Sequence, residues 1–172
     1  MEYSSIKYSS TRGGGRSLNF IQACLAGTAP DGGLYMPSQI PKFTEEQMEN
    51  LVNLSYQDLA FCIISPFTGG SIAEAELRNI INNSYGENFH HSEIAPLRRI
   101  SHNRHQEYVL ELFHGQTLAF KDFALQFLGN LLGFILKQQG KSTTIIGATS
   151  GDTGSAAIYG CKDCPSIELF ML

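Results

Sequence analysis

The chain has 172 residues, of which 42% are hydrophobic and 16% are charged, a balance typical of a globular protein rather than a disordered one. Its net charge is −4 and its only adjacent basic pair is Arg98-Arg99, so charge gives no support for nucleic-acid binding. Because no stretch approaches the roughly 18 uninterrupted apolar residues of a membrane span, and the first residues lack the features of a signal peptide, we expect a cytoplasmic protein that binds no membrane.

The first half of the chain is predicted to be helical and rich in loops. A short periodic segment at Ser17–Ala26 predicts one helix, and an apolar run before a proline, at Tyr56–Ser65, predicts another. Two capping-box patterns, at Thr44–Gln47 and Ser71–Glu74, predict the starts of two more helices. The run at Tyr56–Ser65 is expected to stop before Pro66, because proline lacks the amide hydrogen of a helix interior. Two glycine-rich turns, at 11–15 and 31–33, precede the periodic segment and an extended piece ending at Pro37.

From about residue 95 the pattern alternates between strands and helices. Three strands are predicted at Tyr108–Leu112, Thr143–Gly147 and Ser166–Leu172. A long helix between the first two ends near Gly140, and a second helix begins near Gly154. This β-α-β-α-β order predicts an α/β fold with a parallel sheet. Since such a sheet needs cover on both faces, we expect the domain to be truncated and further units to follow Leu172.

The long helix carries a lysine on its predicted apolar face. Its apolar residues recur in steps of three and one from Phe120 onwards, and Lys121 falls between Leu128 and Leu132 on that stripe. The same spacing predicts that Asp122 and Gln126 point away from the core.

If Thr117 is the N-cap, Lys121 lies in the first turns of the helix, where burial and the helix dipole both disfavour its charged form. A neutral lysine amine attacks carbonyl groups to form Schiff bases. The alternative is a lysine that extends from the edge of the stripe and pairs with a carboxylate.

The second predicted strand leads into a loop rich in hydroxyl groups and glycine. It contains Thr149, Ser150, Thr153 and Ser155, and a helix begins immediately after it. Hydroxyls and free backbone amides at a helix start predict a site for a carboxylate or phosphate. The loop matches neither the P-loop nor the GxGxxG pattern. The alternative is a capped turn that binds nothing.

The cysteines and histidines show no metal-ligand spacing. Four cysteines are scattered along the chain, which favours reduced thiols, and Cys161-Lys162-Asp163-Cys164 has no second pair to complete a zinc site. We therefore expect no metal. The histidines are expected in loops or at the surface, except for His114, which directly precedes the turn into the lysine helix.

These segments together resemble the threonine synthase family. The resemblance rests on a lysine motif, a loop motif and two N-terminal motifs, namely Leu110–Phe123, Ala148–Gly154, Ser10–Gly13 and Ala29–Tyr35. It extends over essentially the whole chain. One position departs from the family, which usually has proline where this chain has Gln116.

The resemblance implies a fold-type-II enzyme that depends on pyridoxal 5′-phosphate and converts O-phospho-L-homoserine and water into L-threonine and phosphate. Residues 1–90 would form the family's N-terminal domain and residues 91–172 the first part of its catalytic domain. Lys121 would bind the cofactor covalently and move protons, and Asp152 would lie near the cofactor's 3′ oxygen. The substrate carboxylate would be held by Thr149, Ser150 and Thr153, while His114 would either line the site or pack beside it.

The resemblance also implies that the groups facing the cofactor's phosphate and pyridine nitrogen lie beyond Leu172. We therefore expect this chain alone to bind the cofactor weakly and to have little turnover. Two other functions stay open: a threonine-synthase-like phospholyase acting on a related phosphorylated amino acid, and a non-catalytic anion-binding module. The sequence does not indicate an oligomeric state.

Overall fold

In the computed structural model, which describes residues 6–101 and 106–172, the chain divides into two units, Met1–Ile81 and Asn82–Leu172. The first unit contains two short antiparallel strands and most of its length in helices. Its elements are β1 (Tyr8–Ser10), α1 (Phe20–Ala26), β2 (Tyr35–Pro37), α2 (Glu45–Leu51), α3 (Tyr56–Thr68) and α4 (Glu74–Ser84), the last of which ends in the second unit. A core cluster around the strands contains Ile6, Tyr8, Leu18 and Ala23.

The predicted helices of the first unit are present, with two errors at their ends. The capping box at Thr44 is confirmed, since its hydroxyl accepts the amide of Gln47 and the Gln47 side chain accepts the Thr44 amide. The box predicted at Ser71 is wrong, because α4 begins only at Glu74. The predicted stop before Pro66 is also wrong. Pro66 lies in the last turn of α3, where its fixed φ suits the helix, and the helix ends at the left-handed Gly69.

A carboxylate organises the two glycine-rich turns of the first unit. The side chain of Asp31 accepts hydrogen bonds from the Ser10 hydroxyl (2.7 Å) and from the backbone amides of Gly14 (2.8 Å) and Gly33 (2.9 Å). The Ser10 hydrogen bond, followed by the amide of Gly33, holds the pKa of Asp31 below its ordinary value. The ionised carboxylate therefore ties β1 to both turns.

Among its described residues, 82–101 and 106–172, the second unit contains two separate pairs of strands and two packed helices. Its elements are β3 (Leu97–Arg99), β4 (Tyr108–Leu110), α5 (Lys121–Gln139), β5 (Thr143–Gly147), α6 (Asp152–Cys161) and β6 (Ile167–Met171). The predicted parallel pairing of the last two strands is confirmed, with Thr143 opposite Ile167 and Gly147 opposite Met171. The predicted helix end is also confirmed, because Gly140 adopts a left-handed φ of 61° and closes α5.

The first strand predicted for the parallel sheet pairs elsewhere. β4 is shorter than predicted and pairs antiparallel with β3, with Leu110 opposite Leu97, and in the described part of the chain it does not join β5 or β6. The local pattern indicated a strand correctly, but alternation within a strand carries no information about its partner.

The helices α5 and α6 approach each other at two glycines. A Cβ atom added to Gly129 would collide with the carbonyl oxygen of Gly160, and one added to Gly160 would collide with the carbonyl oxygen of Leu125. Only glycine permits backbones this close.

The buried face of α5 differs from the predicted one. Leu131, Ile135 and Leu136 are buried as expected, but Asp122 and Gln126 are buried too, whereas Leu128 is exposed. Asp122 is accommodated because both of its carboxylate oxygens accept hydrogen bonds from Thr117. Gln126 accepts a hydrogen bond from Asn88 at its Oε1 atom, whereas its Nε2 atom is buried without a partner among the described residues. No helix among the described residues is long and apolar enough to cross a membrane.

Candidate active site

Lys121 is the first residue of α5 and its side chain is half-buried. The predicted N-cap at Thr117 is wrong, because the N-cap position belongs to Phe120, which makes no side-chain capping bond. The ammonium group of Lys121 lies 4.9 Å from the centre of the Phe120 ring. It forms no ion pair with any residue that the structure describes. Among those residues, the alternative of a lysine paired with a carboxylate is therefore not found.

An open cleft of about 470 Å³ brings Lys121 together with one residue of the predicted anion loop. The lysine contributes from the start of α5, and Thr153 contributes from the first turn of α6. The remaining walls are almost entirely apolar and come from Leu112, Phe120, Phe123, Ala124 and Leu125. An amine without a carboxylate partner in an apolar cleft can react with the carbonyl group of a ligand.

The predicted anion loop is held in shape by Thr149. Its hydroxyl oxygen accepts hydrogen bonds from the backbone amides of Gly154 (2.9 Å) and Gly151 (3.3 Å), and thereby caps the start of α6. A Cβ atom at Gly154 would lie 2.6 Å from that oxygen, so glycine is required there. The hydroxyl of Thr149 keeps its own hydrogen, which it can donate to a ligand.

The other two loop residues named from the sequence are exposed. Ser150 and Asp152 both face solvent, and neither is among the residues that line the cleft with Lys121. Asp152 begins α6, next to Gly151, whose φ of 136° turns the chain into the helix. Of the predicted site residues, the structure therefore brings Lys121 and Thr153 together directly and places the others around the same helix start.

The turn before Lys121 is fixed by Asp122, which the apolar spacing of the helix predicts to point away from the core. Both carboxylate oxygens of Asp122 accept hydrogen bonds from Thr117, one from its amide and one from its hydroxyl, each 2.8 Å long. Asp122 is completely buried. A Cβ atom at Gly115 would collide with this carboxylate, so the turn needs glycine at that position. The only signal in the sequence was an aspartate five positions after a threonine, in a stretch that contains the turn residue Gly115.

The same turn contains a strained residue. Leu118 has a φ of 62°, a left-handed conformation that costs a non-glycine residue about 1–2 kcal/mol. Its side chain is exposed, so burial does not offset this cost. The amide of Leu118 donates to the carbonyl of Gly115 (3.1 Å) and closes the turn. Backbone strain of this kind persists only where the surrounding contacts hold it, and it is concentrated at functional sites.

His114 lies just before this turn and does not line the cleft. Its Nε2 atom is 2.7 Å from the Oε2 atom of Glu111, and its ring lies 4.9 Å from that of His91 between centroids. Its carbonyl oxygen accepts the backbone amide of His90. These contacts give His114 a packing role in the segment that leads to Lys121.

Comparisons with known proteins find the same family that the lysine motif at Leu110–Phe123 and the loop motif at Ala148–Gly154 indicate. Residues 7–85 match the family model described as "Threonine synthase N terminus". A threonine synthase of Pseudomonas aeruginosa is 52% identical over 97% of this chain and 35% of its own length. The crystal structure of threonine synthase from Brucella melitensis with bound pyridoxal phosphate superimposes with a TM-score of 0.92 at 46% identity, covering 97% of this chain and 35% of that one. The yeast threonine synthase structure also gives a TM-score of 0.92, at 39% identity, with 99% of this chain and 36% of that one covered.

The chain thus spans about 35% of the length of the curated relatives that it matches. The match includes the lysine turn, the start of α5 and the loop before α6, because it covers nearly the whole chain.

Proposed function

This chain belongs to the threonine synthase family, of which it represents the N-terminal portion, and we propose that the protein carrying it converts O-phospho-L-homoserine and water into L-threonine and phosphate. The observation that carries the proposal is the position of Lys121. Its amine has no carboxylate partner in the described part of the chain, lies at a helix start and faces an apolar cleft that also contains Thr153. Relatives named threonine synthase match the chain over this whole region.

The residues of the cleft fit pyridoxal phosphate, which the Brucella melitensis structure contains. Lys121 would bind the cofactor's aldehyde carbon, and the apolar side chains of Leu112 and Phe123 would keep water away from that bond. Asp152, at the first position of α6, would lie near the cofactor's 3′ oxygen. When bound, the cofactor supplies an electron-accepting ring that stabilises negative charge next to the amino group of the substrate.

The loop before α6 would hold the carboxylate of the substrate. Thr153 already shares the cleft with Lys121, Thr149 keeps a free hydroxyl hydrogen, and Ser150 is exposed beside them. The helix start adds a positive dipole end and backbone amides. These groups favour a carboxylate over a neutral group, and they would orient the carbon chain of the substrate towards the lysine.

Lys121 would also move the protons of the reaction. Once the substrate's amino group replaces it on the cofactor, the lysine would be a free amine within reach of the substrate's carbon chain, and it would take a proton from the α carbon and one from the β carbon in turn, and return one to the γ carbon after phosphate has left and one to the α carbon. Phosphate leaves from the γ carbon, and water adds at the β carbon. An amine held on a helix rather than on a mobile loop keeps the fixed position that such transfers need.

The proposal includes an assignment of domains and of location. Residues 1–90 form the family's N-terminal domain and residues 91–172 the first part of a fold-type-II catalytic domain. The chain spans about 35% of its relatives' length, so the proposal assigns the contacts to the cofactor's phosphate and pyridine nitrogen to the part of the family's proteins that this chain does not cover, and we expect these 172 residues alone to have little activity. The four cysteines are free thiols, which fits a reducing compartment such as the cytoplasm.

The test is to trap the cofactor on the lysine. The intact protein that carries this chain is incubated with pyridoxal phosphate, reduced with borohydride and digested, and the modified peptide is mapped by mass spectrometry. We expect the adduct on Lys121, its loss in Lys121→Ala and its retention in the control Lys137→Ala, which changes an exposed lysine in the last turn of the same helix.

An adduct found elsewhere, or none in the intact protein, would overturn the proposal and favour the anion-binding module. Turnover assays with O-phosphohomoserine and phosphothreonine then separate threonine synthase from the related phospholyase.

A further inference from the structure

We infer that Asp122 is a positioning residue, which holds the turn at residues 115–120 closed through Thr117 and thereby sets the direction in which Lys121 enters the cleft. This inference rests on the proposed function, because it concerns the lysine to which the cofactor would bind. It assigns a role to a buried carboxylate that the proposed reaction does not otherwise use.

The first step is the geometry of the carboxylate. Asp122 is adjacent to Lys121, and its side chain is completely buried. One oxygen accepts the Thr117 amide and the other accepts the Thr117 hydroxyl, so both oxygens bind the same residue five positions earlier. A carboxylate that accepts two hydrogen bonds from one residue fixes that residue's orientation as well as its distance.

The second step is the backbone strain in the turn that these two hydrogen bonds hold in place. The turn between Thr117 and Lys121 contains the left-handed, solvent-exposed Leu118, a conformation with no side-chain burial to favour it. The bonds to Asp122 therefore hold a segment that would otherwise relax. The room for the carboxylate comes from Gly115, where any side chain would collide with it.

The third step connects the turn to the lysine. Phe120 occupies the N-cap position of α5 and makes no capping bond through its side chain, so the first turn of the helix lacks the usual side-chain cap. The amides of Asp122 and Phe123 donate instead to the carbonyls of Ala119 and Phe120, and the bonds from Thr117 to the Asp122 side chain tie this first turn to the preceding segment. If they are lost, the first residues of α5 can fray, and Lys121 is the first of them.

The test uses two substitutions at Thr117, one that exchanges the hydroxyl group for a methyl group and one that keeps the hydroxyl and removes the methyl group. Thr117→Val removes the hydroxyl bond and keeps the shape, while Thr117→Ser keeps the bond. The matched control is Gln126→Ala, which removes a buried polar side chain one turn further along α5 that does not contact the turn. Two quantities are measured in the intact protein: amide hydrogen exchange at Leu118, without cofactor, and the yield of the borohydride-trapped pyridoxal phosphate adduct on Lys121.

We expect Thr117→Val to raise the exchange rate at Leu118 and to lower the trapping yield, each about tenfold, since a hydrogen bond to a charged group shifts a local equilibrium by about that factor. Thr117→Ser should behave like the wild type, and Gln126→Ala should change neither quantity. The inference is overturned if Thr117→Val exchanges like the wild type, or if Gln126→Ala produces the same loss. A wild-type protein without an adduct on Lys121 refutes the proposed function instead, and the exchange measurement then still decides whether Asp122 closes the turn.

Discussion

The contact between α5 and α6 can be tested by adding one carbon atom. In Gly129→Ala, the new Cβ would collide with the carbonyl oxygen of Gly160, and that oxygen cannot rotate away because it belongs to a helix backbone. The helices would have to separate by about 1 Å, which forfeits roughly a quarter to a half of the attraction between facing atoms.

The magnitude follows from two opposing effects. Replacing glycine by alanine inside a helix ordinarily stabilises it by about 0.8–1.0 kcal/mol. Overpacking ordinarily costs about 1–3 kcal/mol, and a collision with a rigid backbone lies at the upper end of that range. We therefore expect Gly129→Ala to lower the free energy of unfolding of the second unit by about 2 kcal/mol.

The assay is amide hydrogen exchange in α5 and α6, which reports the local free energy of opening even if the two units unfold separately. The matched control is Gly133→Ala, one turn further along α5, where the new Cβ would lie 3.0 Å from the Sγ atom of Cys164. Only the thiol of Cys164 has to shift, by a few tenths of an ångström, and its hydrogen bond to the carbonyl oxygen of Gly129 (3.3 Å) is weak because a thiol is a poor donor, so the control should be neutral or stabilised by up to about 1 kcal/mol. Equal protection of both variants would refute the close contact of the two backbones.

Two further perturbations test the turns. Gln116 is the second residue of the turn that the Leu118 amide closes onto Gly115, a position that favours proline, so Gln116→Pro should raise the free energy of unfolding by about 0.4–1 kcal/mol in urea denaturation. A midpoint below that of Gln116→Ala would contradict this. Because the pKa of Asp31 is lower in the folded than in the unfolded state, its contribution to stability is complete above the unfolded pKa of about 3.9 and is lost as pH falls through the folded value. Protection of the Gly14 and Gly33 amides, expressed relative to the intrinsic exchange rate at each pH, should therefore fall in acid, and Asp31→Asn should show low protection at every pH; protection unchanged by this substitution would contradict the role of the carboxylate.

Local signals predicted most of the helix and strand positions. The capping box at Thr44, the glycine at 140 and the β-branched run at Thr143–Gly147 each act over a few residues, and the structure has the expected element at each. The same holds for the placement of Lys121 in the first turn of α5. The end of α3 was predicted wrongly because Pro66 is compatible with a last helical turn, which the sequence alone does not distinguish from a stop.

Relations between distant parts of the chain could not be predicted in the same way. The apolar stripe of α5 suggested that Leu128 is buried and Asp122 exposed, whereas the structure has the reverse. The spacing of apolar residues identifies a helix, but it does not show which of those residues the rest of the fold covers. It also does not show that a carboxylate can be buried when its hydrogen bonds are formed inside the protein. The turn closed by Asp122 and Thr117 was therefore missed, although both residues belong to the recognised motif.

The sequence by itself determined elements that short-range contacts can specify: the cap at Thr44, the helix end at Gly140, the β-branched strand, the lysine at a helix start and the hydroxyl-rich loop before α6. Only the tertiary structure decided that β4 pairs with β3, that α5 meets α6 at Gly129 and Gly160, and that Lys121 and Thr153 line one cleft. The physical reason is that each of these facts depends on which surfaces meet across many residues of chain. Strand pairing and close helix packing depend on how two surfaces fit together, and the local sequence of one element does not specify the surface of the element that it contacts.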